Sequence, residues 1–416
     1  MINNLNMNVL QKLGIKKLHP WQESVLPAAM RGDDVFVMVS TGGGKSMIPQ
    51  YLSAVDGDGM LTLNLSPNRA LQKDQLENLK GSGIKAALLN SDLSAVERST
   101  LLKNLRAYRM LYCAPEQLLK EDLLEALERV TVARVVVDEV HVLTEVKHQF
   151  RPAYGKIGEF IRSCSPRPQV IALTATATPT ARKEIKSDLS MRADTAMFVY
   201  PIRRDNLKIQ AKHIKSSAKS GKNAAGTMLR EVESILKKWN GKGTVIIYAT
   251  TVKQVNQAKK HLSGRGYQVK KITGKMTAKK RRKSQDAFIH NECRIIVATN
   301  AFGLGINKAD VRLVVHMGLP LTIEGYVQEI GRAGRDGKES NCILLYTDGD
   351  YQRNKRILQS GGEESFSWFK KGLEAMRKFS KNRNKCAWQQ LEKYFGEKPH
   401  ARCGNCANCI VKKFHR

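Results

Sequence analysis

Nowhere in this 416-residue chain is there a run as long as the roughly 18 apolar residues that a spanning helix needs, so no segment reads as crossing a membrane. The opening stretch, MINNLNMNVLQKLG, lacks the basic start and long apolar centre of a secretory leader. Acidic residues are scarce, with 38 Asp and Glu against 70 Lys and Arg, which leaves a net charge of +32. That excess is spread over the whole chain rather than held in one tail, and it points to a polyanionic partner, nucleic acid before membrane. A disulfide framework is also missing. The chain has eight cysteines but no export signal, and four of them (Cys113, Cys164, Cys293, Cys342) are scattered as small core or surface residues. What remains is ordinary for a globular protein of two or three domains, 42% hydrophobic and 26% charged.

One further absence falls inside the most informative stretch. In DDVFVMVSTGGGKS an apolar β-branched run, Val35 to Val39, breaks into Ser-Thr-Gly-Gly-Gly before Lys45-Ser46 opens a helix. This is the strand, loop and helix order of a P-loop, although Val39 stands where the full pattern has its first glycine. Thr41, Gly42, Gly43 and Gly44 allow backbone N–H groups to turn inward around a phosphate, and the helix N-terminus adds positive potential. Lys45 is expected to reach the β- and γ-phosphates of ATP, and the Ser46 hydroxyl to sit on Mg²⁺.

Residues 1–33 read as helical, with a break at His19-Pro20. Short, continuous apolar runs then recur at Met60–Leu65, Met110–Cys113, Arg134–Asp138 and Gln169–Thr174, with helical text between them. Such runs suit strands buried on both faces of a parallel sheet, which predicts a doubly wound α/β domain over 1–200. His213 to Thr227 reads as a polar surface loop. The rhythm restarts at Thr244–Tyr248, Gln268–Ile272, Arg294–Ala298, Arg312–His316 and Cys342–Tyr346, a second α/β domain over 201–348 without its own P-loop. Residues 349–416 turn helical, charged and aromatic, and end in a cysteine cluster. A cleft between the two α/β units is the expected site.

Asp138-Glu139-Val140-His141 ends an apolar strand, and carboxylates there point into the crevice that the P-loop shares. Asp138 is expected to hold Mg²⁺, largely through water, and Glu139 to polarise the attacking water. In the second domain, Gln328 to Gly337 carries Arg332 and Arg335, three apart on one helical face or loop edge. Their planar, permanently charged guanidinium groups suit the charge on a transferred phosphoryl group. Standing alone, the stretch would read as a surface Gly/Arg turn.

Thr41 to Ser46, Asp138 to His141, Thr174 to Ala177, Ala298 to Asn307 and Gln328 to Gly337 occur in this order. Together they resemble a superfamily 2 helicase, and specifically the RecQ family of DNA helicases, over nearly the whole chain. The resemblance implies two tandem RecA-like domains with ATP and Mg²⁺ held between them. It also implies single-stranded and partially duplex DNA as substrate, 3′→5′ movement, and work in repair or recombination. Leu13–Gln22 is similar to the family's adenine-recognition motif, with Gln22 as the base-reading residue and neighbouring Trp21 as a candidate stacking ring. Ser66 to Gln75 and Tyr112 to Leu118 are similar to its DNA-strand motifs, and Phe150-Arg151-Pro152 to the end of its aromatic-rich loop.

Cys386, Cys403, Cys406 and Cys409 are spaced C-x16-C-x2-C-x2-C. Soft thiolates at short loop spacings in a reduced chain suit a closed, structural Zn²⁺ site, and the spacing resembles the zinc subdomain that follows the RecQ motor. The chain also departs from the family. Ile15 and His19 replace an aromatic residue and an arginine, and Val146 stands at the tryptophan position of the aromatic-rich loop. That loop keeps His148, Phe150 and Arg151 as candidates for reporting bound DNA. Thr251-Val252 replaces a Ser-Arg pair, and Ile272–Met276 a Tyr-His-Ala-Gly segment. The sequence stops seven residues after Cys409, so the family's winged-helix and terminal helical modules are expected to be absent. Lys279 to Lys283 is the densest basic block, and reads either as a solvated helix face or as a nucleic-acid contact. Trp368, Phe369 and Trp388 are expected to pack rather than stack on bases. Residence is expected to be cytoplasmic beside the nucleoid in a bacterium, or nuclear in a eukaryote, and protein partners are not legible.

Overall fold

The computed structural model describes residues 5–143, 152–215, 222–239, 241–300, 302, 308–360 and 362–413. The chain forms two compact units, Met1–Pro201 and Ile202–Arg416. No helix among the described residues is long and apolar enough to cross a membrane.

The first unit is built on seven strands: β1 Val35–Met38, β2 Met60–Leu65, β3 Ala86–Leu89, β4 Met110–Cys113, β5 Thr131–Val137, β6 Gln169–Thr174 and β7 Ala196–Val199. They lie in the order β3-β4-β2-β5-β6-β1-β7, and each neighbouring pair is parallel. The central runs β1 and β6 are buried at every position, which is why their text is continuously apolar. Val35, Val37, Ile171 and Leu173 share one core cluster with Trp21, Val25 and Leu26 of the helix Pro20–Met30 and with Ile48, Tyr51 and Leu52 of the helix Met47–Val55. Parallel order brings the C-terminal ends of β1, β5 and β6 to one rim. The P-loop, the acidic pair and Thr174 leave from that rim.

The opposite end of β1 is tied down by Asp34, whose carboxylate is fully buried. It accepts from both Arg167 Nη atoms at 3.1 and 2.6 Å, from Val170 N at 2.9 Å and from Arg192 N at 2.7 Å. One side chain therefore registers β1, β6 and the approach to β7, and it fixes the height at which the P-loop emerges.

The second unit carries β8 Leu207–His213, β9 Thr244–Ala249, β10 Val269–Ile272, β11 Ile295–Ala298, β12 Val311–Met317 and β13 Ser340–Tyr346, ordered β10-β11-β9-β12-β13-β8 and again parallel. The helices Gly349–Gln359 and Glu363–Lys381 and the cysteine-bearing segment belong to the same compact unit. Phe369 packs with Leu358 and Leu373, and Trp388 is 1% exposed, so both rings fill cores as expected. The Trp368 side chain lies outside the described residues.

The sequence reading misses β3, β7 and β8, and all three are edge strands. An edge strand is only partly covered, and β3 alternates buried and half-buried positions while β8 interleaves lysines. A search for continuous apolar runs favours central strands, and of the four edge strands it finds only β10. The predicted loop over His213 to Thr227 is also corrected. His213 closes β8, and a helix runs Lys222–Lys238, so 222–227 are helical. Thr251 keeps the hydroxyl of the serine it replaces: its Oγ1 accepts from Gln254 N at 3.2 Å and caps the helix Val252–Ser263.

Candidate functional site

The phosphate-binding loop is stitched from beneath by the helix that precedes it. Trp21 Nε1 donates to Gly43 O at 3.1 Å, and Gln22 Nε2 donates to Gly44 O at 3.0 Å. Gln22 Oε1 accepts from His19 N at 2.8 Å, so both ends of the amide expected to read adenine are engaged in this conformation. Gly42 and Gly44 stand at φ +81° and +78°, where an L side chain is strained. A Cβ on Gly43 would lie 3.0 Å from Ser40 O. Lys45 Nζ donates to Val39 O at 3.4 Å, and Ser46 stands at the N-terminal end of the helix Met47–Val55 with no capping hydrogen bond from its side chain. Thr41 lies in the turn between them.

One sequence expectation changes here. Trp21 is 8% exposed and sits in the core edge-on to Tyr200, with ring centroids 6.2 Å apart, so it braces the loop and does not offer a stacking face. Val39, in place of the first glycine, is itself a core residue whose methyl carbons lie 3.4 and 3.6 Å from the Gly43 Cβ position. Val39 N donates to Thr174 O at 3.1 Å, so strand pairing continues through this position before the loop turns.

Asp138 follows β5 and is 6% exposed. Its Oδ1 accepts from Glu139 N at 2.9 Å, and its Oδ2 from Gln75 Nε2 at 3.3 Å. Burial pushes this carboxyl up to about 6, with Glu139 adding to the rise and the Lys45 ammonium opposing it. Gln75 Oε1 is buried beside it without a hydrogen-bond partner. A half-satisfied, oxygen-rich pocket of this kind has the hard oxygen donors that a divalent cation such as Mg²⁺ prefers. Gln75, in a stretch similar to a DNA-strand motif, acts here on the acidic pair.

Glu139 adopts φ +50°, a left-handed conformation that costs a non-glycine residue about 1 kcal/mol or more. The backbone on either side holds it there, because Asp138 N donates to Leu65 O and Val140 N to Leu173 O, both at 2.9 Å. Glu139 Oε2 lies 3.5 Å from His141 Nδ1, which is 3.0 Å from Thr174 Oγ1. Thr174 Oγ1 in turn accepts from Thr176 N at 3.2 Å. The acidic pair and the Thr-Ala-Thr stretch are thus one connected network.

A change at Asp138 has a signed consequence. Its folded-state pKa lies above the ordinary 3.8, so the folded protein binds the extra proton and stability falls as pH rises from about 4 through about 6. Asp138→Asn, without nucleotide or metal, is expected to raise stability by about 1–3 kcal/mol at pH 7, with the gain vanishing near pH 4. Thermal melts across this range check it; an equal gain at both ends would sink the burial argument.

In the second unit, Arg332 is 7% exposed and Arg335 is half-buried, both in the turns after the helix Ile323–Ile330. Their positions are set by residues the sequence reading did not single out. Arg204 donates to Gly331 O at 3.2 Å and Ala333 O at 3.1 Å, and also to Gly334 O. Asn206 Nδ2 donates to Gly334 O at 2.8 Å and Lys338 O at 3.0 Å. Gly334 has φ +54°, and a Cβ there would come within 2.5 Å of Asn206 Nδ2. Tyr248 and His316 are register partners on β9 and β12, with rings stacked at 5.3 Å. His316 Nε2 is 2.9 Å from Glu329 Oε2, and Tyr248 hydrogen-bonds Arg332. No local signal marks Arg204 or Asn206, because their contacts lie about 130 positions away in sequence.

Ala298 to Asn300 and Phe302 are described, but Ala301 and 303–307 are not. Val146, His148, Phe150 and Arg151 likewise lie outside the described residues. Tyr112 and Leu118 are 0% and 3% exposed, and therefore serve the core.

The four sulfurs of Cys386, Cys403, Cys406 and Cys409 lie within 4.8 Å of one another, with two Sγ–Sγ distances of 3.9 and 4.0 Å. A tetrahedron with metal–sulfur bonds near 2.3 Å has edges of about 3.8 Å, so the donor set fits zinc. Backbone N–H groups of Ala387, Cys403 and Cys406 approach these sulfurs at 3.3–3.4 Å, the outer shell a thiolate cluster requires.

Three families match the chain: DEAD/DEAH box helicase over residues 19–185, helicase conserved C-terminal domain over 227–337, and RecQ zinc-binding over 348–410. A probable ATP-dependent DNA helicase RecS of Bacillus subtilis is 35% identical over 86% of this chain and 70% of its own length. The ATP-dependent DNA helicase RecQ of the same organism is 32% identical over 89% of this chain and 61% of its own length. Among solved structures, the helicase Lhr of Mycobacterium smegmatis bound to single-stranded DNA and AMP-PNP has a TM-score of 0.69 at 20% identity, covering 86% of this chain and 50% of its own. That similarity concerns the fold alone. With a helicase P-loop and acidic pair in one unit, paired arginines and a four-cysteine cluster in the other, and that kinship in sequence, the chain belongs to the RecQ family of superfamily 2 helicases.

Proposed function

We propose that this chain is an ATP-dependent DNA helicase that converts ATP hydrolysis into movement along one strand and separation of the other, in the 3′→5′ sense, in repair or recombination. The observation that carries the reading is the network at the rim of the first sheet, where Lys45 faces the electrostatic influence of Asp138 and Glu139 is wired through His141 to Thr174. Backbone N–H groups of Thr41 to Ser46, with Lys45, would hold the phosphates, and Gln22 would exchange the Gly44 carbonyl for the adenine edge. Ser46 and Asp138 would hold Mg²⁺, which when bound offsets phosphate charge. Glu139 orients and polarises the attacking water, and Arg332 and Arg335 meet charge developing on the transferred phosphoryl group. In this reading residues 1–200 and 201–348 are the two motor domains and 349–416 the zinc subdomain. Net charge of +32 supports a phosphate backbone as the track.

The test is ATP hydrolysis by the purified protein with no nucleic acid, with single-stranded DNA and with an RNA of the same sequence. DNA is expected to raise the rate at least about tenfold, as substrate-driven closure completes the site, and RNA to do less. A rate indifferent to both would favour a DNA-binding protein with an uncoupled ATPase. A larger RNA response would make it an RNA helicase.

A further inference from the structure

The hydrolytic site leaves the most concentrated charge in the molecule unused. Between Lys270 and Lys283 the sequence KKITGKMTAKKRRK holds eight cations and no acidic residue. The fold gathers five of them on one side of the second unit. On edge strand β10, Val269 joins the core with Val255, Ala258 and Leu262 of the helix Val252–Ser263. Alternation along the strand puts exposed Lys270 on the opposite face. The helix Ala278–Ile289 packs against β10 and buries Ser284, Ala287 and Phe288, leaving Lys279, Lys280, Arg282 and Lys283 exposed. Lys275 stands exposed in the turn between strand and helix.

The neighbouring cations behave differently. Lys271 bonds Asn256 on the other face, Arg281 turns back to Met276 O, and Arg282 pairs with Asp286 at 3.8 Å. Among the described residues no ion pair reaches Lys270, Lys275, Lys279, Lys280 or Lys283. The helix has no acidic residue in its first turn and carries Lys279 and Lys280 there, at the positive end of its dipole, where cations are unfavourable. Folding gains nothing from that arrangement, and a dense anion would offset it.

We propose that Lys270, Lys275, Lys279, Lys280 and Lys283 form a docking surface for the phosphate backbone of duplex DNA, separate from the residues that hydrolyse ATP. Lys279 and Lys283 lie one turn apart, about 6 Å along the helix axis, a spacing that spans successive phosphates of one strand. No aromatic residue occurs between Lys270 and Lys283, so the surface has no platform for unstacked bases, which favours duplex over single strand. The apolar side of the helix is buried, so it has no face to insert into a membrane. This inference deepens the helicase reading by adding a hold on the duplex.

The experiment compares the full chain with a variant carrying Lys279→Gln, Lys280→Gln and Lys283→Gln. Binding to a blunt duplex and to a single-stranded oligonucleotide is titrated without nucleotide over a range of salt. The variant is expected to bind duplex about 10- to 100-fold more weakly near 0.1 M salt, with the slope of log affinity against log salt reduced by about 2–3. Its single-strand affinity and DNA-stimulated hydrolysis are expected to stay within about twofold of the parent, because the change removes backbone contacts on the duplex alone. Unchanged duplex affinity and slope would overturn the proposal. Equal losses on both DNAs would also overturn it, and would assign the stripe to the single-strand track. Because binding is read without ATP, failure of the hydrolytic reading leaves this result interpretable, and the melting temperature checks that the exposed substitutions leave the fold intact.

Discussion

Glu139→Gln is expected to slow ATP hydrolysis by about 10²- to 10⁴-fold, the usual contribution of a positioned general base. Glutamine keeps the size and the left-handed backbone burden, but it cannot take a proton from water. The folded protein already holds this residue at φ +50° between two backbone hydrogen bonds, so the variant is expected to fold normally. Nucleotide affinity should stay within about threefold, because the lost interaction belongs to the transition state rather than to ground-state binding. Single-turnover hydrolysis and fluorescent-nucleotide binding check the two halves. A variant that retains most of its rate would remove Glu139 from the chemistry and leave Asp138 as the alternative base. Loss of binding together with rate would instead assign Glu139 a structural role in the loop network through His141 and Thr174.

Removing zinc is expected to have the second large effect, and a broader one than the cysteine spacing alone suggests. Spacing predicts collapse of the last ~60 residues only. In the folded protein that segment is tied into the second unit: Trp388 Nε1 donates to Leu207 O at 3.4 Å, and Glu397 Oε1 accepts from Ile202 N at 3.0 Å. Tyr394 donates to Glu324 Oε1 at 2.7 Å at the start of the helix that leads to Arg332. Structural zinc contributes on the order of 10 kcal/mol in small domains, more than most domains' whole stability. Cys406→Ala should therefore abolish bound zinc, lower the melting temperature of the second unit by more than about 10 °C and open β8 to proteolysis. Nucleotide binding through Lys45 should persist, since that loop belongs to the first unit. Metal analysis with limited proteolysis checks this, and a metal-free variant that melts like the parent would make the cluster dispensable.

Most of the groups proposed to do this protein's chemistry are local in sequence and legible there. Gly42 to Ser46, Asp138-Glu139 and the run Cys403, Cys406 and Cys409 each depend on spacing within one turn or loop, and spacing is what a sequence displays, whereas Cys386 joins them from across the helix Ala387–Tyr394. The central strands were legible too, because burial on both faces demands continuous apolar text. Tertiary structure alone decided the roles of partners brought from afar. Trp21, a plausible stacking ring in sequence, is a buried brace on Gly43, and Gln75 serves Asp138 across 63 positions. Arg204 and Asn206 hold the arginine-bearing turn with no motif to announce them. The edge strands β3, β7 and β8 were missed because a strand covered on one side only has no need of an unbroken apolar run. The sequence determined which groups can do chemistry, since that follows from residue type and short spacing. The fold decided which distant side chains hold those groups in place, because long-range contacts depend on sheet order and packing that no local window contains.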